Sequence, residues 1–153
     1  MITWSSIALP LVPAAVMAFS DFRERRISVT ALAAYGTCCA FSSVMLSGWR
    51  LAMRGFLFGA AVILMLLAAL LLFYRIRYGR EKAVIDHAFG MGDILFLICT
   101  AMLLDAVRLC LFIVIACVAG IVWHRATGKE EIPFVGLAVP VLAVFLSLNV
   151  ILP

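Results

Sequence analysis

Gly90-Met91-Gly92-Asp93-Ile94-Leu95-Phe96-Leu97-Ile98-Cys99-Thr100-Ala101-Met102-Leu103-Leu104 is an apolar run opened by a single carboxylate behind two glycines. A carboxylate in a lipid-embedded helix is costly and usually faces a cavity or a partner group rather than acyl chains. Gly90 and Gly92 strip side chains from the turn before it, so another backbone or an extended substrate can approach closely. The matching acid is Asp21, which closes the first apolar run of the chain. Working outward from Asp93, the remaining sequence reads as a frame that brings these two acids together.

That frame is made for lipid. Of 153 residues, 67% are hydrophobic and 13% charged, with a mean hydropathy of +1.22. A soluble domain of this length has too little interior to hide so much apolar surface. Six segments approach the roughly 20 residues a membrane helix needs, and they are placed at 3–20, 27–48, 55–74, 90–105, 107–124 and 133–152. The expected fold is all-α, a polytopic bundle of six transmembrane helices forming a single domain over 1–153. Pro10 and Pro13 fall in the first helix and Pro140 in the sixth, where neighbouring helices can satisfy the freed carbonyls. The five cysteines lie inside apolar runs without a CxxC pair, so they read as small core residues, with no metal and no disulfide framework expected. No cleavable leader is read at the N-terminus, because the first run lacks a basic flank and ends in charge.

Lys and Arg in the short loops orient the bundle. Arg23, Arg25 and Arg26 in the first loop, Arg75, Arg77, Arg80 and Lys82 in the third, and Arg125 and Lys129 in the fifth give nine on one side, against Arg50, Arg54 and Arg108 on the other. The first side is assigned to the cytoplasm, with both termini outside. Trp4 and Trp49 then fall at the outer interface and Tyr74, Tyr78 and Trp123 at the inner one, as an aromatic belt requires. Asp21 ends a helix running inward and Asp93 begins one running outward, so the two share the cytoplasmic edge. Ile132-Pro133-Phe134 opens the sixth helix at the same edge.

Two neighbouring carboxyls do not both ionise cheaply; one holds a proton while the other stays charged. The charged one can take a proton from water and the protonated one can donate to a carbonyl under attack. Against this stands the plainer reading, at even odds, that each acid caps a helix or faces an arginine. Arg23, Arg25 and Arg26 are candidate contacts for a substrate leader or lipid phosphate, although such a run first signals topology. Asp86 and His87 read as a solvated loop pair, Glu130 and Glu131 as helix-dipole compensation before Pro133, Asp105 as a turn residue and His124 as interfacial. Gly55 and Gly59 form a GxxxG helix-packing pattern.

Three separated segments of this chain resemble the type IV prepilin peptidases, membrane aspartyl proteases of the GxGD kind. They are Asp21-Phe22-Arg23-Glu24-Arg25-Arg26-Ile27, Gly90-Met91-Gly92-Asp93 and Ile132-Pro133-Phe134. The first is similar to the family's Asp, basic run and Ile-Pro-Asn, although Ser28-Val29 stands here for Pro-Asn. The second is the GxGD itself, with Leu95 where relatives commonly carry Lys. The third resembles the Pro-Phe segment that opens the last helix. The resemblance implies that Asp21 and Asp93 are the catalytic pair. It implies cleavage of a prepilin or pseudopilin leader at the cytoplasmic face, just before the pilin's N-terminal apolar helix. Lacking the cysteine-zinc domain of the bifunctional members, the chain looks like the short stand-alone peptidases of tight-adherence, Flp-type pilus systems, without methyltransferase activity.

The sequence therefore predicts an inner-membrane aspartic endopeptidase, needing no cofactor and binding no nucleic acid, with pilus assembly machinery as a further partner. Its rivals are a non-catalytic membrane subunit of a pilus or secretion assembly and a small ion-coupled transporter. The edge placement of the acids argues against the transporter, whose coupling acids belong near the midplane.

Overall fold

A computed structural model describes residues 4–24, 27–78, 90–128 and 132–151. Among these the chain is all helix: α1 (Trp4–Glu24), α2 (Val29–Tyr78), α3 (Met91–Thr100), α4 (Ala106–Thr127) and α5 (Phe134–Ile151). Two of them, α2 and α4, are long and apolar enough to cross a membrane. The large side chains turned outward, among them Phe58 and Met65 on α2 and Val107 and Val122 on α4, suit a lipid solvent rather than water.

The expected second and third spans are one 50-residue element broken at Gly48, whose φ of 76° and ψ of 159° are not helical. Glycine is the residue that tolerates this conformation. Contacts with α3 show that the chain reverses here. Along the first limb Tyr35 stacks on Phe96, and Ser43 donates to the carbonyl of Met102 at 2.6 Å. Along the second, Gly59 meets Ala101, and Ile63 to Leu70 line a cavity with Ile94 and Leu97. The two limbs thus run in opposite directions along α3. Gly59 makes this close approach, since a Cβ there would lie 2.5 Å from that of Ala101, whereas Gly55 has nothing within 4 Å.

The fourth span, expected over 90–105, is helical only for the ten residues of α3, about 15 Å of helix. Residues 101–104 turn before Asp105, which caps α4 by accepting from the Arg108 amide at 2.8 Å. Asp105 is thus more than a turn residue. Irregular backbone among apolar helices needs internal hydrogen bonds, and Ser43 supplies one to the turn. Tyr35 and Thr100 hydroxyls meet at 2.8 Å, and Thr100 also donates to Phe96 O. This buried polar pair pins the end of α3 to α2.

α1 packs between α2 and α5, and α5 also carries α4. The shared core includes Ala14 and Met17 of α1, Tyr35 and Ile63 of α2, Phe96 of α3, Phe112 and Ala116 of α4, and Val135 and Leu142 of α5. The cysteines divide: Cys39 is buried and Cys38 and Cys99 partly so, but Cys110 and Cys117 are exposed on α4. The expectation that all five are core residues fails for those two, although Cys117 borders the cavity lined by Ile63, Ile94 and Leu97.

Candidate active site

Asp93 is placed by its own helix. Gly90 occupies the N-cap position of α3 with extended backbone, and its carbonyl accepts from the amides of Asp93 at 3.0 Å and Ile94 at 3.3 Å. Asp93 is the third residue of the first turn, where a carboxylate meets the positive end of the helix. The carboxyl folds back toward Gly90, such that a Cβ on that residue would lie 3.3 Å from Asp93 Oδ2. Asp93 is partly buried, while Gly90 is exposed.

Asp21 is placed by another helix. It lies in the last turn of α1, three residues before its end, and is 7% exposed. Its Oδ2 accepts from the backbone N–H of Gly136 at 2.9 Å. The reason lies at the start of α5. Pro133 holds the cap position, its carbonyl accepting from Leu137 N at 3.1 Å, and it has no side-chain oxygen to offer the first turn. The amides there are unpartnered within their own helix, so a carboxylate from α1 serves the one at Gly136.

Phe22 and Ile27 each pack against a glycine of another helix. Phe22 lies against Gly136, where a Cβ would be 2.6 Å from the ring, and its other neighbour is Trp123, with ring centroids 5.6 Å apart. Ile27 lies against Gly92, where a Cβ would be 2.7 Å from Ile27 Cδ1. Gly92 therefore makes room for the chain's own Ile27. Gly90, by contrast, is exposed. Ile27 meets α3, Phe22 ties α1 to α4 and α5, and the carboxyls of Asp21 and Asp93 lie within electrostatic reach of each other. Among the described residues no cluster of three His, Cys, Asp or Glu side chains forms.

The other anticipated residues distribute as follows. Pro133 is buried, Phe134 partly buried, and Ile132 packs on Gly120, where a Cβ would be 3.3 Å from Ile132 Cγ2. This segment supports the start of α5. Arg23 is exposed, as is His124. Arg25, Arg26, Arg80, Lys82, Asp86, His87, Lys129, Glu130 and Glu131 lie outside the described residues. Ser28, standing where the resemblance expects Pro, takes the cap position of α2, its carbonyl accepting from Leu32 N at 3.0 Å. The residue that sequence reasoning missed is Gly136. Its signal is a glycine in the first turn behind a proline cap, Pro133-Phe134-Val135-Gly136.

A sequence model described as the type IV leader peptidase family matches residues 8–124, which include Asp21 and Asp93 and stop short of Ile132. No curated protein and no solved structure matches the chain.

Proposed function

The chain belongs to the type IV leader peptidase family, and on that premise we propose that it is a membrane-embedded aspartic endopeptidase that removes the basic leader of Flp-like prepilins at the cytoplasmic face. What supports the reading is the family match across both acids, together with the placement of Asp21 and Asp93, from separate helices, within electrostatic reach of each other. The chemistry follows from that placement. The charged carboxylate takes a proton from water, and the water oxygen bonds to the scissile carbonyl carbon. The protonated partner gives its proton to the carbonyl oxygen, forming a tetrahedral diol. Collapse then breaks the C–N bond as the second carboxylate takes back a proton from a diol hydroxyl, and the departing amine takes the proton held by the first acid. No metal and no enzyme-bound covalent intermediate is needed.

In this reading the chain is one peptidase domain over 1–153 with six membrane crossings, the two limbs of α2 each counting as one. Both termini are outside and the dyad lies at the inner edge. The prepilin's apolar helix lies in the bilayer against the bundle, and its scissile segment reaches Asp93 past the open side of Gly90. Co-expression with an Flp-type prepilin tests the assignment. Asp21→Asn and Asp93→Asn each abolish the size shift of the prepilin while still inserting into the membrane. Normal cleavage by either variant would sink it.

A further inference from the structure

A carboxylate that handles water has two jobs for its two oxygens. One must be held so that the other points where the chemistry needs it. At Asp21, Oδ2 is held by a backbone amide of a different helix, Gly136 N–H, at 2.9 Å. The contact is buried, with Asp21 only 7% exposed. It is also sterically specified. Phe22, the next residue, lies on the bare Cα of Gly136, where any Cβ would stand 2.6 to 3.0 Å from three ring atoms. Trp123 of α4 meets the same ring in an edge contact at 61°. A side chain at position 136 would push on this ring, and the ring is bonded to the residue after the acid.

Resting on the dyad reading above, we infer that Gly136 is a positioning residue for the cleavage reaction: its amide anchors one oxygen of Asp21, and its missing side chain lets Phe22 settle so that the other oxygen stays turned toward water and Asp93. The start of α5 thereby acts on the reaction without touching substrate. The arrangement needs glycine for space, since the amide alone would be present in any residue except proline. It also explains why a proline cap is useful at α5. Pro133 brings no side-chain oxygen to compete with Asp21 for the Gly136 amide.

A purely structural cap would make a different forecast. Losing it would lower the amount of folded protein and leave each folded molecule as fast as before. Positioning forecasts a slower turnover per folded molecule. The test uses purified full-length enzyme in proteoliposomes with a purified Flp-type prepilin, and normalises rates to folded enzyme. Gly136→Ala is expected to lower kcat about tenfold or more, because small misplacements of a catalytic group cost that much or more, with KM little changed. Phe22→Leu added to Gly136→Ala restores space for the methyl group and is expected to recover most of that loss. A Gly136→Ala enzyme within twofold of wild-type kcat overturns the inference, and so does a double variant as slow as the single one. A second readout needs no variant at the glycine. In enzyme labelled with 15N-glycine, the Gly136 amide proton is expected to move upfield in Asp21→Ala; an unmoved resonance also overturns the inference. Asp21→Asn and Asp93→Asn run alongside separate the two levels. Both dead with Gly136→Ala at full speed removes the positioning role and leaves the dyad, whereas an active Asn variant removes the dyad.

Discussion

The two acids of the site are held in opposite ways. Asp93 sits in the first turn of α3 and leans on Gly90 of its own helix, three residues away. Asp21 sits in the last turn of α1 and is held by the amide of Gly136, far along the chain on α5. A carboxylate suits the beginning of a helix and is disfavoured near the end of one. Asp93 is therefore stable where it stands, and Asp21 depends on a borrowed helix start. The site is thus half local and half tertiary, and the tertiary half is the one that damage elsewhere in the bundle would disturb first.

Alanine at each acid sharpens this contrast most strongly. Both variants lose general acid–base catalysis, on the order of a hundredfold to ten-thousandfold in rate. Their stabilities separate. Asp21→Ala leaves the buried Gly136 N–H without its acceptor, a loss of about 1–3 kcal/mol. Asp93→Ala removes a helix-start interaction of roughly 0.5–1 kcal/mol. Thermal unfolding in detergent measures the difference, and equal losses would break the comparison.

The two glycines before Asp93 offer a second contrast, of intermediate size. Gly92→Val overpacks the contact between Ile27 and α3, costing about 1–3 kcal/mol and displacing the neighbouring Asp93, so processing of an Flp-type prepilin falls with it. Gly90→Ala puts a methyl 3.3 Å from Asp93 Oδ2 at an exposed cap position, and a much smaller change in stability is expected. If both variants behave alike, Gly92 is not the spacer that Ile27 requires. The smallest effect lies away from the acids. Tyr35→Phe deletes the hydroxyl contact with Thr100 but leaves Thr100 bonded to Phe96 O. It should cost about 1 kcal/mol with unchanged turnover per folded molecule, and a fall in turnover would tie the end of α3 to the chemistry.

Several of these features were legible in the residues themselves. Helix is the only regular structure that satisfies a lone membrane-spanning segment's backbone, so long apolar runs with charged breaks sufficed for an all-helical reading. Gly90-Met91-Gly92-Asp93 marked one acid and the end of the first run marked the other. Other features were hidden for physical reasons. The second span ends at Gly48 as expected, but the reversal there takes a single glycine of positive φ instead of a loop over 49–54, a tightness that composition does not show. The end of α3 at Thr100 is set by Tyr35 and Ser43 reaching across from α2, and the run continues apolar through it.

By itself, then, the chain's order of residues determined a helical membrane protein of the leader peptidase family and singled out Asp21 and Asp93. Local rules suffice for these, because hydropathy, helix starts and short motifs act over a few neighbouring residues. Only the tertiary structure decided what Gly92 and Gly136 are for. Space beside a glycine has no meaning until another segment fills it, and here Phe22 fills it from the end of α1 and Ile27 from just before α2.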